Sequence, residues 1–217
     1  MRYRPKIKSK RIRYAGNDFR SITEAKWAVF FDLLSITYKY ESEYSEVEAG
    51  CKVVWYKPDF HLPELHKYIE IKPKKPEGIE TIKASGWCED MGLIVVLFEL
   101  NPPKENTESG WMFKFTEYFK KATLIKNVWW CECPRCGKID LCEFGEVECG
   151  CFSLKELNQI NIKEEKGEKF YPSFEHTPRL LDAYKIAKYY KFKTQNRAHP
   201  IPYNRTIWQH DDMVGKT

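Results

Sequence analysis

Residues 19–36, FRSITEAKWAVFFDLLSI, set Ala25, Ala28, Val29, Leu33 and Ile36 on one stripe at helical spacing, and Phe30 and Leu34 widen it. Ser21 followed three residues later by Glu24 has the form of a capping box, so the pattern predicts a helix over about 22–35. The pattern then becomes strand-like. YKYESEY (38–44) reads as a first strand, and CKVVWY (51–56) running on into KPDFHL (57–62) as a second. Pro63 breaks that run and PELHKY (63–68) makes the turn. YIEIKP (68–73) is a third strand, ended by Pro73. PEGIETIKASGWCEDMG (76–92) reads as a helix with Gly92 near its end. LIVVLFEL (93–100) is a continuous apolar run suited to a buried strand. Helix, three strands, helix, strand predicts a mixed sheet with helices packed on it.

Beyond residue 100 the pattern is less regular. NPPKENTESG (101–110) is a loop, and WMFKFTEYFKKATL (111–124) is amphipathic and aromatic, expected to pack against the sheet. PRLLDAYKIAKYYKF (178–192) opens with Pro178 at a first helical turn. It gathers Leu180, Leu181, Ala183, Tyr184 and Ala187 on one face, with Arg179, Lys185, Lys188 and Lys191 over much of the rest. Two readings stay open for it, a basic helix packed by its apolar stripe and a helix that faces DNA.

Composition narrows the class. Hydrophobic residues make up 42% of the 217 and aromatics 15%, enough for a packed core, which argues against wholesale disorder. No apolar run approaches the ~20 residues of a membrane span. The basic N-terminus has no apolar segment after it, so it is not a secretory signal. Six of the eight cysteines fall between 131 and 151, a clustering that favours a metal site in a reducing compartment over a disulfide framework. The protein is therefore expected in the cytoplasm.

The net charge of +5 is unevenly spread. Arg2, Arg4, Lys6, Lys8, Lys10, Arg11 and Arg13 stand without an acid in the first thirteen residues, whereas Glu41, Glu43, Glu46 and Glu48 crowd the next region of high charge. The basic arm reads either as a solvated tail or as a phosphate-binding segment, and sequence alone leaves both open.

The predicted hairpin carries the candidate chemistry. Alternation along its third strand sends Ile69 and Ile71 to the core and Glu70 and Lys72 to the other face, with Asp59 on the neighbouring strand. Both acids are expected to face solvent or a metal, away from the core. Two converging carboxylates need a cation, and hard oxygen donors suit Mg²⁺ or Mn²⁺, which would polarise a phosphate and acidify a bound water. Lys72 would orient that water or stabilise developing charge. The competing reading is a solvated polar face with a weak Glu70–Lys72 pair.

Further on, CPRCG is a C-x₂-C knuckle whose Gly137 tolerates a positive φ, and Cys133 and Cys136 are its thiolates. Cys149 and Cys151 follow a hairpin-like stretch and are placed as the second pair of a structural zinc site, with Cys131 and Cys142 as competitors.

KPDF with EIK resembles the PD-(D/E)xK nuclease superfamily, and SITEAKWAVFFDLL resembles the first core helix of that fold, whose glutamate falls on Glu24. CPRCG and HTPRLLDAYKIAKYYKF extend the resemblance to small, mostly phage-borne proteins with such a core, a zinc ribbon and an amphipathic helix. The resemblance implies an α/β, restriction-endonuclease-like αβββαβ core that hydrolyses DNA phosphodiesters with a divalent metal. By the same resemblance Asp59, Glu70 and the Ile71 carbonyl hold the metal, Lys72 is catalytic, Glu24 helps hold the metal or its water, and Lys83 faces the site. The expected division is a basic arm (1–18), the nuclease core (19–105), a connecting amphipathic segment (106–130), a zinc ribbon (131–152), and a C-terminal helix and tail (153–217). A homodimer is allowed for, and a DNA- or protein-binding module without catalysis is the alternative. A transposase endonuclease subunit shares the helix and hairpin motifs, but the ribbon in place of a winged-helix tail argues against it.

Overall fold

Ser21 starts the first helix as its sequence predicts. Its hydroxyl accepts the Glu24 amide at 3.1 Å, and α1 runs Ile22–Leu33. The chain leaves the helix through Ser35 at φ 58°, two residues short of the expected end. The computed structural model describes residues 11–49, 52–72, 77–91, 94–97, 110–116, 121–126, 128–133, 135–142, 149, 151 and 177–192. Arg2, Arg4, Lys6, Lys8 and Lys10 lie outside the described residues.

A six-stranded mixed sheet carries the fold. Its strands in chain order are β3 (Lys39–Tyr40), β6 (Phe60–Leu62), β7 (Lys67–Ile71), β8 (Ile94–Leu97), β9 (Gly110–Thr116) and β10 (Lys121–Lys126), and they are neighbours in that order. All pairs are antiparallel except β7–β8, which is parallel and is bridged by α2 (Ile79–Met91). The alternation expected for YIEIKP holds. Ile69 and Ile71 join Phe60, Leu62 and Met112 in the cluster built around α1. Tyr68 joins Phe113 and the α2 residues Ala84, Trp87 and Cys88 on the opposite face. Each face of the sheet is thus covered by one helix.

The second predicted strand is two strands. β5 (Lys52–Tyr56) leaves the main sheet and pairs with β4 (Ser45–Ala49), while β6 begins only at Phe60. Pro58 lies between them and has no amide to give to a ladder. The β4–β5 ribbon lies over α2, burying Val47 and Tyr56 with Trp87. Gly86 makes that approach possible, because a Cβ there would sit 2.8 Å from the Glu48 carbonyl oxygen. WMFKFTEYFKKATL does more than pack against the sheet, since its residues form β9 and most of β10 and extend it.

The first eighteen residues are not a free arm throughout. β1 (Ile12–Tyr14) and β2 (Asn17–Phe19) form a hairpin whose turn residues Ala15 and Gly16 both have positive φ, as a type I′ turn requires. Tyr14 and Phe19 are fully buried in the α1 cluster. Nor is the cysteine-rich segment a separate unit. β11 (Trp129–Glu132) and β12 (Ile139–Cys142) put Trp130, Ile139 and Leu141 into the same cluster, with Trp130 against Phe30 and Phe31. A hairpin this small gains a core by sharing one.

α3 (Pro178–Tyr189) packs by its apolar stripe. Leu180, Ala183, Tyr184 and Ala187 are buried, with Tyr184 on Phe30 at 4.6 Å between ring centroids. Leu181, expected on that face, is only half-buried. Arg179 reaches from α3 to Glu132 (2.9 Å) and to the Leu34 carbonyl (3.0 Å), and the Thr177 hydroxyl also donates to Glu132. The buried Glu132 carboxylate is thereby paired, as burial demands. Among the described residues no helix is long and apolar enough to cross a membrane.

Candidate functional site

Three acids meet at one end of the sheet, where the N-terminal turns of α1 and α2 also lie. Asp59 precedes β6, Glu70 is the penultimate residue of β7, and Glu24 is in the first turn of α1. All three are buried, at 2%, 5% and 7% exposure, so of the two surroundings expected for the hairpin acids, solvent or a metal, solvent is excluded. The α2 layer and the β4–β5 ribbon cover the face on which Glu70 lies, and Tyr56 beside it carries the nearest hydroxyl.

Each carboxylate is held differently. Asp59 accepts the Ile71 amide at 2.7 Å on Oδ2 and the Arg20 guanidinium at 2.8 Å on Oδ1. Glu24 accepts the Tyr40 hydroxyl at 2.5 Å and the Arg20 amide at 3.2 Å. Glu70 pairs with Lys72 at 2.6 Å through Oε1, and its buried Oε2 makes no well-formed hydrogen bond, with the Tyr56 hydroxyl directed at the same carboxylate. Lys72 also lies 3.4 Å from Glu80 of α2. Arg20 spans to Glu41 at 2.5 Å, and Lys57 pairs with Glu41 at 3.0 Å.

Burial sets the electrostatics. It pushes the Asp59 carboxyl up to about 8, with the charges of Glu70 and Glu24 adding to the effect and the Ile71 amide and Arg20 opposing it. Burial also raises Glu70, although Lys72 works against it. For Lys72 burial acts downward, but the carboxylates of Glu70, Glu80 and Asp59 outweigh it and hold the ammonium charged to higher pH.

A stability prediction follows from Asp59. Its folded value of about 8 lies above the ~3.9 of an unfolded aspartate, so the folded chain binds the extra proton. The favourable contribution is whole below about pH 4 and is lost as pH rises toward 8. In chelator, thermal melts of the wild type should therefore fall from pH 5 to pH 8, and those of Asp59→Asn should fall less. Equal slopes for the two proteins would refute the assignment.

Sequence reasoning named Asp59, Glu70, Lys72 and Glu24, and the fold brings them together. It missed Arg20, Tyr40, Tyr56 and the Ile71 amide. Arg20 stands next to the Ser21 cap, and Tyr56 two residues before Pro58, so each had a positional signal in the sequence. Lys83 is half-buried one turn beyond Glu80 on α2 and makes no ion pair with the described acids.

The second centre is the knuckle. The Sγ atoms of Cys133, Cys136, Cys149 and Cys151 all lie within 4.8 Å of one another, a set able to hold a structural metal ion such as zinc. Among the described residues it is the one group of three or more His, Cys, Asp or Glu drawn that tightly together. The carboxylates of Glu24, Asp59 and Glu70 are spaced more loosely, with Arg20 and Lys72 among them. Gly137, at φ 71°, donates its amide to the Cys133 carbonyl at 2.7 Å, closing the turn. Burial pushes the Cys133 thiol up, but the Cys136 and Arg135 amides aimed at its sulfur outweigh this and bring it down to about 7. Cys131, a competitor for the site, is instead buried beneath it, its thiol directed to the Trp129 carbonyl. Compared with protein-family models, curated proteins and solved structures, the chain matches none.

Proposed function

We propose that this chain is a divalent-metal-dependent nuclease that hydrolyses DNA phosphodiester bonds. The observation that carries the reading is the convergence of Asp59, Glu70 and Lys72 at the end of β7, with both carboxylates buried. Two buried neighbouring carboxylates, both with raised proton affinity, are a poor arrangement unless a proton or a cation completes it. The donors are hard oxygens, the donor type that suits Mg²⁺ or Mn²⁺. Asp59 and Glu70 would hold the ion with help from the Ile71 carbonyl and Glu24. Bound there, it supplies charge neutralisation at the phosphate and a more acidic water.

The chain's own groups have separable tasks. The Ile71 amide and Arg20 fix the Asp59 carboxylate, and Tyr40 fixes Glu24, so the acids are oriented before substrate arrives. Lys72, kept protonated by Glu70 and Glu80, is the cation available to the negative charge that builds on the phosphate. The fold, on this reading, is that of the restriction-endonuclease-like enzymes.

One observation favours a second reading, a nuclease-like binding module without catalysis. Arg20 and Lys72 already pair with the two acids, as they would in a purely structural network. Nicking of supercoiled plasmid separates the two. Open circles should accumulate with Mg²⁺ or Mn²⁺ and not in EDTA, and intact plasmid under both conditions would exclude the nuclease reading.

A further inference from the structure

The two faces of the sheet carry surfaces of opposite sign. On the α2 side, the outer face of the β4–β5 ribbon presents Glu46 and Glu48 beside exposed Tyr44, Val53 and Trp55. On the α1 side, the hairpin edge and the end of α3 present cations. Tyr14 of β1 meets Tyr190 and Phe192 edge-on, at 5.8 and 5.9 Å between centroids, and those two rings contact each other at 4.9 Å. Alternation in both extended segments then turns the intervening side chains outward. Arg11 and Arg13 flank Ile12 on one, and Lys191 lies between the two aromatics on the other; all three are exposed.

α3 continues the surface with exposed Lys185 and half-buried Lys188, whose ammonium lies 5.6 Å from the ring of Tyr189, itself 69% exposed. Lys26 of α1 donates to the Lys188 carbonyl and ties this end of α3 to the helix that carries Glu24. Three acids face the same region, among them half-buried Asp32, which accepts the Tyr14 hydroxyl at 2.7 Å. Asp18 makes only a long 3.9 Å pair with Arg13, and Asp182 is exposed on α3. With Lys26 counted, six cations against three acids leave an excess of three positive charges on this surface. β2 runs from this hairpin directly into Arg20, which holds Asp59.

We infer that the exposed edge of β1 and the C-terminal half of α3 form an exosite for the phosphate backbone of duplex DNA. This rests on the nuclease reading for the identity of the ligand. The acidic β4–β5 face repels phosphate, and the cations supply counterion release on the opposite side. The α3 helix therefore serves both expected roles, with its apolar stripe packed and its basic face on the substrate.

The test is fluorescence anisotropy with a labelled duplex of about 25 base pairs, on the full chain in EDTA, over a salt series. Lys185→Glu/Lys191→Glu should weaken binding about tenfold or more near 0.1 M salt and reduce the slope of log K against log salt by about two. Lys39→Glu/Lys52→Glu makes the same change in net charge at exposed positions elsewhere and should change affinity by less than about threefold. Equal weakening in both double variants, or no change in the first, would overturn the exosite. Preference for anionic lipid vesicles over the duplex would overturn it too. The two proposals fail separately. Selective loss of binding in a protein that never nicks plasmid leaves the exosite and removes the nuclease. Nicking by a protein whose variants all bind alike does the reverse.

Discussion

Asp59→Asn and Glu70→Gln should each lower metal-dependent plasmid nicking by on the order of 10³-fold, the scale of losing a group that organises charge at a reacting phosphate. The amide substitutions are chosen because both acids are buried. Alanine at 59 would strand the Ile71 amide and remove one of the two carboxylates that pair with Arg20, and an unpaired buried donor costs about 1–3 kcal/mol, enough to confuse a folding defect with a chemical one. Asparagine keeps an oxygen for the Ile71 amide and removes the charge that burial disfavours. At pH 8 in chelator the Asp59→Asn protein should therefore melt no lower than the wild type. Wild-type nicking by either variant would remove the site from consideration. Lys72→Met should also slow nicking strongly while leaving the dependence on Mn²⁺ concentration nearly unchanged, since an ammonium is not a ligand.

The second large effect concerns the four cysteines. Purified protein should carry about one zinc per chain, because four thiolates close a tetrahedral site. The shared core changes what its loss would do. A ribbon independent of the core would unfold locally when Cys133→Ser removes a ligand. Here Trp130, Ile139 and Leu141 belong to the cluster around α1, and Lys67 at the start of β7 pairs with Asp140 of β12 at 2.8 Å. Loss of the metal should therefore lower the stability of the whole domain in one transition. If the site contributes roughly 3 kcal/mol, the melting temperature should drop by about 6–12 °C in a chain of this size. Elemental analysis without zinc, or a Cys133→Ser protein that melts as the wild type does, would contradict the assignment.

The parts legible in the sequence share a physical reason: they are local. The helix of α1 follows from Ser21, Glu24 and the apolar stripe, and the two faces of β7 follow from strict alternation through Ile69, Glu70, Ile71 and Lys72. The knuckle follows from two cysteines three residues apart and a glycine that accepts positive φ. The rest depends on partners distant in sequence. Pro58 marks a break after Lys52–Tyr56, but nothing local announces where that strand goes, since the reason is the room over Gly86 on α2. Nothing near Asp59 announces Arg20, thirty-nine residues away. The cover over the acids was not legible for the same reason, because the layer over Glu70 comes from elements on either side of the hairpin in sequence.

Tyr184 of α3 closes the core against Trp27 and Phe30 of α1, and the bonds that seat the helix span the chain, 145 residues from Arg179 to Leu34 and 162 from Lys26 to Lys188. On the ribosome, α1 emerges well before α3 and lacks this lid until α3 has left the exit tunnel. Contacts so distant in sequence close slowly and late, so this core should be completed only after nearly the whole described chain has been synthesised. Nascent chains stopped before Thr177 would display Trp27 and Phe30 to solvent, a surface for chaperones and for aggregation.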